Sequence, residues 1–279
     1  MSGTFAEDIV VERVTHGRYR AHLEHNWDLM PLPQGGIIAS FALRASAAEL
    51  RDPTHDLRTT TTVFAGQVSA GDLLIDVRVL RSGRSATQVL ADVRNVGEGA
   101  GATTISVFGS KRRGPSFSDL TPPEVPSPQD CRSYRDPLPP GVEGFPPAPF
   151  WERVEGRLAL GHYFWDDYEP AGSDVASWLR FDDPPLTPDG ALDPLAVLTL
   201  ADRMPNSIGE RIGRQEQRWF APSADLTVHL FEPARTEWIL AHDRAHWADD
   251  GWASAETTLW DENRNILAYA TQMMLFTYL

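Results

Sequence analysis

A disulfide framework is excluded at once, because the chain holds a single cysteine, Cys131. With Arg132 and Arg135 close by, that thiol reads either as activated or as an ordinary loop residue. Long apolar runs are also missing: no stretch approaches the roughly 18 uninterrupted apolar residues of a membrane span. The opening segment, MSGTFAEDIVVERV, lacks a basic region followed by an apolar core, so the expected location is the cytoplasm, with no membrane partner. Positive charge is scarce. Twenty-five Lys and Arg face 39 Asp and Glu, a net charge of -14, which repels phosphate backbones and removes nucleic acid from the expected partners. A local basic pocket for an anionic ligand stays compatible with that balance. No Gly-x-Ser-x-Gly elbow and no Gly-x-x-x-x-Gly-Lys loop occurs, so neither a Ser/His/Asp hydrolase nor a P-loop nucleotide site is indicated. His22 and His25, and His242 and His246, stand at spacings a metal can use, yet neither pair brings a third ligand; no metal and no cofactor is expected.

What the chain does have is apolar content for a sizeable core, 42% of 279 residues. Residues 115–149 hold eleven of its 22 prolines and no sustained helical or strand period, which marks a linker. The expected organisation is therefore an N-terminal unit over 1–114, a proline-rich linker over 115–150 and a C-terminal unit over 151–279. The two units look duplicated. GRSATQVLADVRNVGEGAGATTISVF (83–108) and GWASAETTLWDENRNILAYATQMMLF (251–276) align without a gap and share a glycine start, a strand-like run, an asparagine turn, a second strand and a final Phe. In LLIDVRVLR, Ile75, Val77 and Val79 alternate with Asp76 and Arg78, the period of a strand with one wet face. Ahead of each sheet lies one helical stretch, GGIIASFALRASAAEL (35–50) and DPLAVLTLADRM (193–204). The second has Asp193 placed to cap and Pro194 at the first helical position. A helix followed by a meander of strands, twice over, is an α+β pattern in which each sheet needs a helix to cover its apolar face.

In order and spacing, PQGGIIASFALRA (33–45), LRSGRSATQV (80–89), LADR (200–203), PSADLTVHLFEP (222–233) and the closing ATQ (270–272) resemble the acyl-CoA thioesterase II family and its actinobacterial thioesterase-like relatives. The resemblance covers most of the chain. It implies a double hotdog, two tandem repeats each with a long helix wrapped by a curved antiparallel sheet. It also implies hydrolysis of acyl-CoA to a free acid and CoA. The implied site lies in the second repeat: Asp202 as the acid, Gln272 on the last strand, and Ser223 where the family has Thr, with Thr227 as the fallback hydroxyl. Relatives tend to associate through their sheets, which leaves both a homo-oligomer and a monomer open.

Those residue types suit the chemistry. A thioester carbonyl is already electrophilic, so hydrolysis needs a positioned water, a group to take its proton, and donors aimed at the developing oxyanion. Asp202 can orient the water and accept its proton if burial raises its pKa, while Ser223 and Gln272 can each donate and accept hydrogen bonds. Such a site would also satisfy Gln272, whose amide is otherwise costly at the centre of an apolar terminal strand. The plainer alternatives are an exposed helical carboxylate for Asp202 and an interface amide for Gln272. Gly35 and Gly36 begin the first helix, where free amides suit an anion or an oxyanion, or simply make a tight turn. Arg81 and Arg84 can pair with coenzyme A phosphates, or serve as ordinary hairpin arginines. The alternative function is a non-catalytic acyl-CoA-binding protein, favoured by the Ser223 departure. A hotdog hydratase would need an Asp and His pair that neither helical stretch contains.

Overall fold

A computed structural model describes residues 4–29, 32–52, 54–144 and 148–278. The chain opens with a short helix α1 (Phe5–Asp8), strands β1 (Glu12–Thr15) and β2 (Arg18–Leu23), and then helix α2 (Gly35–Leu50). β3 (Asp56–Phe64), β4 (Gly71–Ser82), β5 (Ala86–Asn95) and β6 (Ala102–Gly109) complete the first half. After the proline-rich segment come β7 (Val154–Leu160), β8 (Asp174–Phe181), α3 (Pro194–Ala201) and α4 (Pro205–Ile212). The remaining strands are β9 (Trp219–Phe220), β10 (Asp225–Leu230), β11 (Ile239–Asp249), β12 (Trp252–Asp261), β13 (Ile266–Leu275) and β14 (Thr277–Tyr278).

Twelve strands form one sheet in the order β1-β2-β4-β5-β6-β3-β10-β13-β12-β11-β8-β7, with every described ladder antiparallel. Read outward from the β3–β10 seam, the second six strands follow the order of the first six. Thr61 faces Thr227 across that seam, and their hydroxyl oxygens lie 2.9 Å apart. A shift of 166 residues, Thr61 to Thr227, carries the registers of β3–β6 and β4–β5 onto those of β10–β13 and β11–β12. The bulge that skips Leu80 in β4 recurs at His246 in β11. The gapless sequence alignment, 83–108 on 251–276, is therefore two residues out. Side chains alternate faces with a period of two, so a two-residue slip preserves the in/out pattern and sequence alone does not expose it.

Helix α2 packs on β4, β5 and β6 and also on α3, which explains why ten of its sixteen residues are buried rather than a single stripe. It ends where Arg51 turns left-handed, φ 54°. In the second half the expected single helix is broken. Asp193 caps α3 by accepting from the Leu195 amide (2.9 Å), but Asp202 leaves helical geometry at φ -88°, ψ 67°. Pro205, with no N–H to offer the Ala201 carbonyl, starts α4 instead. Helices α2 and α3 run antiparallel: Gly36 lies beside Thr199, and Ser40 and Arg44 reach Leu195 and Asp193. The positive end of α2 thus meets the negative end of α3, and Asp202 stands at that junction.

The proline-rich segment packs closely on the second half. The Trp178 indole donates to the Pro126 carbonyl (2.9 Å), Arg157 donates to the Pro128 carbonyl (2.8 Å), and the Tyr134 amide donates to the Gly156 carbonyl (2.8 Å). Val125 and Cys131 cover an outer cluster of Ala176, Trp178, Trp238, Leu240 and Trp260. Burial pushes the Cys131 thiol above its ordinary pKa, with Asp130 adding to the effect, which opposes the activated-thiol reading. Among the described residues no helix is long and apolar enough to cross a membrane.

Candidate active site

Three segments converge where α2 begins. Asp202 caps the C-terminus of α3, Ser223 lies on the approach to β10, and Gln272 lies on β13. Ser223 is held beside Gln272 by backbone pairing: it bridges Met274, and the Ala224 amide donates to the Met273 carbonyl (2.7 Å). The Gln272 amide nitrogen donates to Asp202 Oδ1 and lies 2.7 Å from Ser223 Oγ, while Ser223 Oγ stands 3.4 Å from the same carboxylate oxygen. The other carboxylate oxygen, Oδ2, accepts from the Gly36 amide at 2.9 Å. Asp202 and Gln272 are buried, and among the described residues Gln272 Oε1 has no hydrogen-bond partner. An acceptor withheld from solvent and left free costs about 1–3 kcal/mol, so it is an acceptor waiting for a donor.

Burial pushes the Asp202 carboxyl above the usual carboxylate range. The Gly36 amide, Gln272, the Gly35 amide and Ser223 pull the other way, in that order. The result is a carboxyl kept reactive toward protons yet fixed in place by four neighbours.

The expected role of Gly35 and Gly36 is changed in one respect. The anion their helix end holds here is the protein's own Asp202. The glycines are required by close approach: a Cβ on Gly36 would lie 2.8 Å from Thr199 Cα, and one on Gly35 would lie 2.7 Å from Phe64 Cζ and 2.9 Å from Asp202 Oδ2. Gln34, which sequence reasoning passed over, completes the junction. Its side-chain amide donates to the Thr199 and Asp202 carbonyls at the end of α3, in addition to the Asp202 amide's own bond to the Thr199 carbonyl (3.4 Å). The only signal for it was its place in PQGG, directly ahead of the two glycines.

The fallback hydroxyl does not reach the site. Thr227 bonds Thr61 on the face of the sheet opposite Leu226 and Val228, which point into the core. The β alternation decides it: Thr227 and the core residues next to it cannot share a face. Arg81 and Arg84 are not brought to the site either. They are exposed on the β4–β5 hairpin, where the Arg84 carbonyl lies 3.2 Å from His55 Nε2, just past the far end of α2. Sixteen helical residues put that end roughly 24 Å from Gly35. His22 and His25 turn to Asp72 and Asp28 (2.7 Å each), and His242 turns to Asp174 (3.0 Å). Trp27 is core, and Trp165 stacks on Tyr163.

Among the described residues the first half builds no second copy of this set. The 166-residue shift places Ser106 opposite Gln272 and Leu57 opposite Ser223. The reciprocal helix junction, at the N-terminus of α3, is closed by the Arg44–Asp193 ion pair at 2.7 Å.

A family model described as the acyl-CoA thioesterase N-terminal domain matches residues 23–109, and one described as the acyl-CoA thioesterase C-terminal domain matches 128–276. Solved structures agree in fold. A conserved protein of unknown function with a hot dog fold from Alicyclobacillus acidocaldarius superposes with a TM-score of 0.82 at 21% identity, covering 99% of both chains. A putative thioesterase II from Thermobifida fusca gives 0.78 at 21% identity, covering 98% of this chain and 97% of that one. The acyl-CoA thioesterase II TesB2 from Mycobacterium marinum gives 0.73 at 18% identity, covering 99% of both. No curated protein matches the chain by sequence.

Proposed function

Since the chain belongs to the acyl-CoA thioesterase family, we propose that it hydrolyses acyl-CoA to a free acid and CoA, using two tandem hotdog repeats and one active site in the second. The observation that carries this reading is the convergence of Asp202, Gln272 and Ser223 around a buried carboxyl whose pKa is raised. A water molecule held by Gln272 Oε1 and Asp202 is oriented toward the thioester carbonyl. Asp202 takes the proton as the C–O bond forms, and collapse of the tetrahedral adduct breaks the C–S bond and releases the CoA thiolate. Ser223 holds the carboxylate and the amide in register. Its missing methyl, where the family has Thr, leaves its rotamer freer without removing the hydroxyl.

No covalent intermediate is needed. A buried base beside fixed donors suits attack by water, and a group with a raised pKa is a better proton acceptor than an ordinary carboxylate. The test is release of free thiol from a panel of acyl-CoAs by the parent protein and by Gln272→Ala. Turnover by the parent and its loss in the variant support the proposal. Binding of acyl-CoA with no turnover by the parent supports a non-catalytic acyl-CoA-binding protein instead.

A further inference from the structure

The proposed substrate carries a strongly anionic nucleotide end, and Arg81 and Arg84 stand at the wrong end of α2 to hold it. The loop that leads from α4 back to the active site offers other cations. Arg211, Arg214 and Arg218 are exposed, and among the described residues none of the three makes an ion pair or a side-chain hydrogen bond. Over residues 211–218 they face a single acid, Glu216, in a chain that sets 39 acids against 25 bases. Asp167 and Glu169, on the segment that packs Pro170 against Gly213, do not pair with them either. Free guanidiniums gathered in one short loop give an acidic protein a local positive field, with forks of donors that match phosphate oxygens.

An aromatic group lies directly beside them. Trp219 follows Arg218 and, through the β9–β14 pairing, faces Tyr278. Trp219 stacks on Phe276 with 5.3 Å between ring centroids, and Phe276 meets the Tyr278 ring edge-on at 5.2 Å. Tyr278 is 52% exposed and Trp219 partly so. A Cβ on Gly209 would lie 3.3 Å from Trp219 Cζ2, so the loop folds back on α4 and brings Trp219 alongside the turn that carries Arg211. Ring faces next to guanidiniums are what a nucleotide needs, the rings for its base and the forks for its phosphates.

The spacing from the catalytic set also fits. Phe276 follows Gln272 by four residues of extended chain, roughly 13 Å. Ser223, bridged to Met274, lies between them. The pantetheine arm of CoA, about thirteen bonds of amides and methylenes from sulfur to phosphorus, spans roughly 15 Å when extended.

We propose that Arg211, Arg214 and Arg218, with the rings of Trp219 and Tyr278, form a surface subsite for the 3′-phosphorylated adenosine diphosphate of CoA. This rests on the thioesterase reading of the neighbouring site. The nucleotide takes no part in the bond changes, so these contacts are equal in ground and transition states and act on KM rather than on kcat.

The experiment measures thiol release from one acyl-CoA and from the same acyl group on pantetheine, which lacks the nucleotide. In Arg211→Ala/Arg214→Ala/Arg218→Ala, KM for acyl-CoA should rise about tenfold or more with kcat little changed, while the pantetheine thioester keeps its parent kinetics. Tyr278→Ala should raise KM for acyl-CoA alone, by a smaller factor. Arg81→Ala/Arg84→Ala/Arg113→Ala removes the same charge from the far end of α2 and should leave both substrates at parent values. An unchanged KM for acyl-CoA in the loop variant, an equal loss on both thioesters, or a rise confined to the far-end variant overturns the subsite. If the parent releases thiol from neither thioester, the hydrolase reading fails instead. The subsite is then judged by calorimetry with adenosine 3′,5′-bisphosphate. Heat from the parent and none from the loop variant is expected; no heat from the parent, or equal heat from both, contradicts it.

Discussion

Replacing Gly36 with alanine tests whether the α2–α3 junction is what places the Asp202 carboxyl. In an open helix the change would stabilise, by up to about 1 kcal/mol. Here the new Cβ would stand 2.8 Å from Thr199 Cα, 3.1 Å from Gln34 Oε1 and 3.3 Å from the Leu198 carbonyl oxygen. Ordinary carbon contacts lie at roughly 3.5–4.0 Å, so the seam must open by about 0.7–1.2 Å. Two of the three obstacles are backbone atoms of α3, which cannot swing aside as a side chain can. Overpacking of this kind costs about 1–3 kcal/mol, which, set against a propensity gain of up to about 1 kcal/mol, leaves a net loss of up to about 2 kcal/mol. For a chain of this size that is a fall in Tm of a few degrees, roughly 2–4 °C per kcal/mol. The opening also lengthens the 2.9 Å bond from the Gly36 amide to Asp202, and a misplacement of about 1 Å is worth on the order of a hundredfold in rate. Thermal unfolding and thiol release from acyl-CoA read the two effects separately. Gly35→Ala is the matched control. Its Cβ meets the mobile end of Phe64 and the carboxylate itself, so activity should fall with little change in Tm. If Gly36→Ala keeps both the parent Tm and the parent kcat, the close approach of the helices is not what holds the acid in place.

Other perturbations have definite signs. The folded-state pKa of Asp202 lies above its unfolded value, so the native state holds that proton more tightly; its stability is greatest below about 3.8 and declines as pH rises through the folded value. Asp202→Asn should therefore melt higher than the parent at pH 7, with the gap closing toward pH 4; melting curves that show the same gap at both pH values would refute this. Ser223→Ala should lower kcat about tenfold or more, whereas Ser223→Thr should retain activity, and equal kinetics for the two would remove the hydroxyl from the site. Thr227→Val should leave kcat unchanged, since its side chain is on the other face of the sheet; a large loss in a folded protein would contradict the face assignment.

Much of the candidate site in the second half is legible because its residues sit in short segments whose order is distinctive. ADR, PSAD and ATQ mark a helix end, a strand approach and a strand centre, and the backbone brings all three together. What escaped sequence reasoning depended on relations between the halves. Gln34 caps the end of a helix whose residues lie some 165 positions downstream, and nothing local in PQGG announces that partner. Strand periodicity is blind to an even slip, so the 166-residue offset between the halves is not separable in the sequence from one of 168. Thr227, four residues after Ser223, has the right chemistry, and only the ladder shows which face of the sheet it takes. The break after Ala201 was visible in principle, since Pro205 cannot complete a helical bond to it, but the apolar run LAVLTLADRM masks the stop. Arg203 and Asp243 gave no warning. Charged residues in a strand and at a helix end normally point to water, and their burial is a tertiary fact.

The most direct test of the account is the rate of thiol release from acyl-CoA by Asp202→Asn, measured beside the parent at neutral pH with folding confirmed by circular dichroism. The account predicts a folded variant slowed by at least about a hundredfold. A variant that turns over at the parent rate would show that Asp202 is not the base and that water is activated elsewhere.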